Sequence, residues 1–218
     1  MAVMARSSGE PGRDCPRCPR LVALRSVWRK NEPDWFNAPV PSFGPVDARL
    51  LIVGLAPGLR GANRTGRPFT GDYAGDLLYA TLKRFGFGRG DYQAHPDDGF
   101  TLVDCRITNA VRCVPPDNKP TAQEIAACRD FLVATVREMG KLRAVVTLGR
   151  IAHESFIAAQ RAKLRDHPFA HGRTHVMGGI VLFDCYHCSR YNTSTGVLTP
   201  QMFRNVFARV RRHLDAAL

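Results

Sequence analysis

Cys15-Pro-Arg-Cys18 is a Cys-x-x-Cys pair in a segment without apolar patterning, and Cys113 and Cys128 add two further thiols downstream. Four thiolates complete a tetrahedral zinc site or hold an iron–sulfur cluster. A second close pair, Cys185-Tyr-His-Cys188, competes for that role, and spacing alone leaves the choice open. Cys185 ends an apolar run and Cys105 lies within one, where free cysteine usually behaves as a small buried hydrophobe. Cys15 and Cys18 have no such setting. Proline follows each of them directly, as it follows the last ligand of the bacterial ferredoxin run, which favours iron–sulfur over zinc.

Two loops carry the other reactive groups. Gly54-Leu-Ala-Pro-Gly58 continues into Arg60-Gly-Ala-Asn-Arg-Thr-Gly-Arg-Pro-Phe-Thr-Gly-Asp72, and glycines of this density let backbone approach a ligand closely. The chain has neither the Walker pattern nor Gly-x-Gly-x-x-Gly, which argues against a nucleotide-phosphate cradle. His187-Cys-Ser-Arg-Tyr-Asn192 begins a polar loop running to Thr199. A histidine there can donate to a developing anion, or it can be a structural residue at a strand end.

The elements that must position these groups follow from periodicity. Short apolar runs over 49–55, 100–108, 143–148 and 180–185 predict strands. Between and around them, helices are predicted over 21–30, 74–85, 121–139, 151–160 and 200–214, with Thr121-Ala-Gln-Glu124 a capping box and Pro200 at a helix start. Pro33 to Pro45 reads as an extended connection. The alternation predicts an α/β fold, a three-layer α/β/α sandwich around a central, mainly parallel four-stranded sheet. Sites in such sheets lie beyond the carboxyl ends of the strands, where the glycine-rich loop, the segment after Thr108 and the His187 loop all begin. Residues 1–12 predict a mobile tail and 13–218 a single domain.

Composition bounds the partners. The 218 residues hold 31 Lys and Arg against 19 Asp and Glu, a net charge of +12, which suits a polyanion such as nucleic acid. A basic protein without such a partner is the alternative. No apolar run is long enough to span a membrane, and the first residues lack the core of a secretory signal. A cytoplasmic protein is expected, and in that reducing compartment the seven cysteines call for ligation or burial rather than disulfides.

The ordered elements Cys15-x2-Cys18, Gly-Leu-Ala-Pro-Gly from Gly54, Asn-Arg-Thr-Gly-Arg-Pro-Phe-Thr-Gly-Asp from Asn63, Ile-Thr-Asn-Ala-Val-Arg-Cys-Val-Pro-Pro from Ile107 and Cys-Tyr-His-x-Ser-Arg-x-Asn-Thr from Cys185 resemble the uracil-DNA glycosylase superfamily. The closest resemblance is to family 5, its iron–sulfur B-type branch, and it extends from Cys15 to Phe203. It implies a repair enzyme that hydrolyses the N-glycosidic bond of uracil in DNA, with hypoxanthine, xanthine and etheno adducts as further substrates. It assigns Cys15, Cys18, Cys113 and Cys128 to a [4Fe-4S] cluster and leaves Cys105, Cys185 and Cys188 unligated. Gly54, Ala56, Phe69 and Asn109 are implied around the base: Phe69 stacks on it and Asn109 reads its edge. That matches the way flipped bases are recognised in general, by stacking together with bonds to the pairing edge.

The resemblance further implies that His187 stabilises the departing base, that the loop through Tyr191 and Asn192 enters the minor groove, and that Arg64, Arg67, Ser189, Arg190 and Asn192 contact DNA. This sequence departs from the pattern where the sister family bears Glu, here Leu55, and where the best-known uracil glycosylases bear Asp, here Ala56. Cys188 stands where Pro or Val is usual. Without a first-motif acid, a dissociative path is expected, with Asp72 either orienting water or capping the helix that follows. A monomer is expected. The rival readings are a non-catalytic, metal- or cluster-stabilised DNA-binding protein and an electron-transfer protein.

Overall fold

The computed structural model describes residues 9–216. Its elements are α1 (Pro19–Asn31), β1 (Leu50–Gly54), α2 (Ala62–Thr65), α3 (Tyr73–Arg84), β2 (Gly88–Arg89), β3 (Thr101–Leu102) and β4 (Cys105–Asn109), followed by α4 (Ala122–Glu138), β5 (Ala144–Leu148), α5 (Arg150–Ala159), β6 (Thr174–Met177), β7 (Ile180–Cys185), α6 (Arg190–Ser194) and α7 (Pro200–Ala216). The main sheet has order β4-β1-β5-β7-β6. Its first four strands run parallel, so their carboxyl ends share one edge, while β6 is antiparallel to β7.

The two faces are filled by alternate residues of the same strands. Leu50, Ile52, Val146 and Phe183 pack with α3 and α7, whereas Leu51, Val53, Val145 and Leu182 pack with α4 and α5. A strand covered on both sides has no use for polar residues, which is why β1 and β5 read as continuous apolar runs. The capping box at Thr121 and Glu124 is formed. Glu124 also takes the guanidinium of Arg20 at 2.7 Å, which fastens the start of α1 to the start of α4.

Three expectations are corrected. The sheet has five strands rather than four, because Thr174–Met177 folds back along β7 through the Gly178-Gly179 turn and half of that edge strand faces water. The strand expected over 100–108 is two strands. Asp104, with φ 52°, breaks it, and β3 pairs with β2 while β4 alone enters the main sheet. The break is held by Arg49, whose backbone N–H and Nε both donate to the Asp104 carboxylate at 2.8 Å.

The expected mobile tail over 1–12 is corrected at Gly9 and Glu10, which are tied to the folded domain. Residues 1–8 lie outside the described residues, but Gly9 N donates to Glu138 Oε1 at 2.9 Å and Glu10 pairs with the fully buried Arg112 at 2.8 Å. Arg112 follows β4, so Glu10 supplies the countercharge for a cation in the interior. Glu10→Ala should therefore cost about 3 kcal/mol, the order seen when one partner of a buried pair is removed. Urea denaturation should show a lower midpoint with an unchanged slope.

Candidate active site

A cavity of about 730 Å³ opens at the carboxyl ends of β1, β4 and β7. It is lined by residues 55–62, by Phe69, Asp72, Tyr73 and Ala74, by Asn109 and Asn118, and by His187, Ser189, Arg190 and Tyr191. Gly54 sits beneath it, and there a side chain is excluded by contact. A Cβ at 54 would overlap Asn109 Oδ1 and come within 2.6 Å of Phe69 Cζ. The parallel register places Gly54 directly opposite Asn109, so the sheet itself brings the amide and the ring together.

Asn109 is almost wholly buried, and its Oδ1 has no hydrogen-bond partner among the described residues. A buried acceptor left unpaired is costly unless a ligand fills it. Phe69 holds φ at 54°, a left-handed conformation uncommon for a bulky residue and characteristic of functional sites. The ring of His187 lies 6.0 Å from that of Phe69 and inclined by 29°. Asn192 Nδ2 donates to the His187 carbonyl at 2.8 Å, and Ser189 caps the short helix α6. Burial pulls the His187 imidazole down to a pKa of about 4, so it is neutral at pH 7 and offers an N–H without a full charge.

Asp72 is the N-cap of α3, with Oδ1 accepting from Gly75 N at 3.3 Å. Its Oδ2 faces the glycine loop, where a Cβ at 61 would approach within 2.5 Å. Burial raises its pKa, and backbone N–H groups at the helix start oppose that rise. The carboxylate thus caps the helix and lines the cavity at once.

Of the expected DNA contacts, Arg64 and Arg190 are exposed, and Arg190 and Ser189 line the cavity. Arg67 is corrected. It is buried, forked onto Asp98 at 2.8 and 2.7 Å and set against the rings of Phe43, Tyr79 and Tyr92, so it cannot reach a phosphate. Asn192 spends its amide on the His187 backbone. Arg60, Tyr73 and Asn118, none of them expected as site residues, also line the cavity; the Pro-Pro-Asp-Asn turn chemistry is the available sequence signal for Asn118.

Cys15, Cys18, Cys113 and Cys128 surround one small cavity together with Leu21, Arg25, Val111, Arg112 and Phe131. Cys18 precedes α1 with Pro19 as the first helical residue, Cys113 follows β4, and Cys128 lies on α4. Arg112 N donates to Cys128 Sγ at 3.3 Å, and the Arg25 guanidinium reaches Cys113 Sγ at 3.9 Å. Burial pushes Cys113 up to about 12 and Cys128 to about 11, and neighbouring thiols add to the rise. Such a set becomes thiolate when a metal supplies positive charge, so its chemistry fits a metal centre.

The competing pair is elsewhere. Cys185 is core, and the Cys188 thiol donates to Ala74 O at 3.5 Å. A further group of potential ligands, His153, His175 and Asp184, is internally satisfied: both histidines, Thr147 Oγ1 and Ala170 N all bond the Asp184 carboxylate.

The family model described as the Uracil DNA glycosylase superfamily matches residues 41–211. A type-5 uracil-DNA glycosylase of Thermus thermophilus is 44% identical over 205 residues, covering 91% of this chain and 93% of the relative. One from Mycobacterium tuberculosis is 41% identical over 91% of this chain and 77% of its own. A type-4 uracil-DNA glycosylase of Pyrobaculum aerophilum is 33% identical over 66% of this chain and 60% of its own. The chain belongs to the uracil-DNA glycosylase superfamily, in its type-5 family.

The depressed pKa of His187 has a consequence for stability. In the unfolded chain the imidazole titrates near 6.5, in the folded chain near 4. The stability tied to its neutral form is complete above about pH 6.5, falls as pH drops below that value and is lost below about 4. Urea titrations from pH 7 to 4 should show that fall, and His187→Ala should make it shallower. Excision should show no limb near pH 6.5 attributable to His187.

Proposed function

We propose that this chain hydrolyses the N-glycosidic bond of uracil in DNA, with a [4Fe-4S] cluster on its four convergent cysteines. The observation that carries the reading is the meeting of the Phe69 ring and the unpaired Asn109 oxygen above Gly54, facing a neutral His187. An extruded uracil stacks on Phe69 while Asn109 Oδ1 accepts from its N3–H and Nδ2 donates to O4. Cytosine presents the opposite pattern at those two atoms.

As the N1–C1′ bond breaks, its electron pair moves onto the base and the sugar becomes oxocarbenium-like. The His187 N–H donates to the anion that builds on the base oxygen. Asp72 faces the opposite charge: its carboxylate steadies the cation and orients the water that adds to C1′. The added water loses its proton to Asp72 or solvent, the base anion gains one, and an abasic site remains. Leu55 and Ala56 bring no acid to the cavity, which leaves most of the work to the His187 donor and loop amides. A cavity of 730 Å³ admits bicyclic bases, which supports hypoxanthine, xanthine and etheno adducts as further substrates.

Arg60, Arg64 and Arg190 supply positive charge for phosphates, and the 73%-exposed Tyr191 is suited to press into the minor groove. Among the described residues, no helix is long and apolar enough to cross a membrane, and all seven cysteines are unbridged. Unbridged cysteines are in keeping with residence in the reducing cytoplasm, and a monomer is proposed alongside it. Cys15, Cys18, Cys113 and Cys128 would hold the cluster, which would cross-link the start of α1, the exit of β4 and α4 into one unit.

Purified protein should release free uracil from a duplex oligonucleotide, and His187→Ala should lower the single-turnover rate by roughly 10²–10³ with damaged-DNA binding little changed. Near-normal excision by that variant would defeat the leaving-group role. Binding of uracil-containing DNA without any base release would favour the non-catalytic reading. The protein should also hold about four irons and four sulfides per chain. Cys128→Ser should lose them and Cys188→Ala should retain them, whereas stoichiometric zinc without sulfide would sink the cluster.

A further inference from the structure

Phe69 does not hold its conformation unaided. A left-handed φ of 54° places Cβ against the backbone, so the residue relaxes unless its flanking peptides are fixed. Two phenols fix them, one on the buried Tyr79 and one on the half-buried Tyr92. Tyr79 Oη donates to Pro68 O at 2.6 Å, and Tyr92 Oη donates to Phe69 O at 3.0 Å. The same Tyr92 oxygen accepts from Gly71 N at 3.4 Å, so one hydroxyl spans the turn on the far side of Phe69.

Tyr92 is placed for this by its own surroundings. Its ring stacks on Tyr79 with centroids 4.3 Å apart, and the Arg67 guanidinium sits 5.7 Å from its centroid. Arg67 is in turn held by the buried Asp98 at 2.7 Å. Gly75 leaves room for the contact, since a Cβ there would overlap both Phe69 O and Tyr92 Oη. Burial pushes the Tyr92 phenol up to about 12, so it remains a donor across the working pH range.

We propose that Tyr92 is a positioning residue for base excision: its hydroxyl locks the Phe69 peptide so that the ring stands as a fixed platform for the extruded base. The proposal rests on the reading of Phe69 as the stacking residue. Tyr92→Phe keeps the ring and its stacking on Tyr79, removes only the hydroxyl, and frees the Phe69 peptide to rotate. The cost falls on the bound base, because a platform displaced by a fraction of its thickness stacks poorly on a rigid heterocycle.

The test is a double-mutant cycle in single-turnover excision of uracil from duplex DNA, with denaturation midpoints and DNA affinity measured alongside. Tyr92→Phe should slow excision about tenfold, with affinity for undamaged duplex unchanged. Phe69→Ala should slow it more, and adding Tyr92→Phe to Phe69→Ala should have no further effect, since the group Tyr92 acts through is gone. A purely structural hydroxyl would give the same fractional loss in both backgrounds, which overturns the proposal. Full activity in Tyr92→Phe while Phe69→Ala is slow overturns the positioning role alone. Full activity in Phe69→Ala overturns the stacking reading, and with it the platform.

Discussion

Gly54 and Asn109 face each other in adjacent parallel strands, and the absence of a side chain at the first lets the second meet Phe69. A one-residue slip in that register would turn Asn109 toward the opposite face of the sheet and set a β-carbon under the ring. The register is fixed by burial on both faces of β1 and β4 and by Arg49, which fastens Asp104 just before β4 begins. The apolar core therefore does more than stabilise the chain. It brings one acceptor, one ring and one gap together at the floor of the cavity.

The cysteine site and the cavity grow from the same two strand exits. Ala56 lines the cavity and packs against the cluster of Leu21, Val111 and Cys128, while Cys113 lies four residues beyond Asn109. That third core is small, with few apolar groups to hold α1 in place. The Arg20–Glu124 pair and the buried Arg112, with Glu10 as its countercharge, assist. Ligation of four thiolates there would supply what apolar area does not, since metal binding adds directly to folding free energy. Strain in this corner would reach the base pocket through the backbone of β1 and β4.

Much of this was legible in the sequence because it depends on local rules. The strands β1, β4, β5 and β7 follow from apolar runs, and α4 from its capping box. The glycine-rich loop, Phe69, Asn109 and His187 were visible as ordered motifs. Long-range pairing was not. Arg67 looked like a surface cation in a basic loop, and nothing nearby in sequence announces that Asp98, thirty-one residues on, takes both its nitrogens. Glu10 looked like part of a loose tail because its partners Arg106 and Arg112 lie about a hundred residues away. Tyr92 stands in a stretch without periodicity, and only the fold brings its hydroxyl to the Phe69 carbonyl. The strand β6 was hidden by an exposed edge, although Gly178-Gly179 was a hairpin signal.

The polarity of the cavity bears on how a glycosylase works without an acid in its first motif. Among the described residues Asp72 is the one acid lining it, and it sits at the amino end of α3, where two backbone N–H groups offset part of its charge. Leu55 and Ala56 line the same cavity, so in the proposed mechanism an acid at either position would help water but oppose the anion that forms as the base departs. Moving the carboxylate to a helix cap separates those two effects. Holding His187 neutral completes the arrangement, because burial of the imidazole disfavours its charged form while leaving an N–H to donate. In the proposed mechanism, a neutral donor at His187 and a damped carboxylate at Asp72 favour charge separation across the glycosidic bond more than charge neutralisation within the resting enzyme. That is the balance a dissociative cleavage requires.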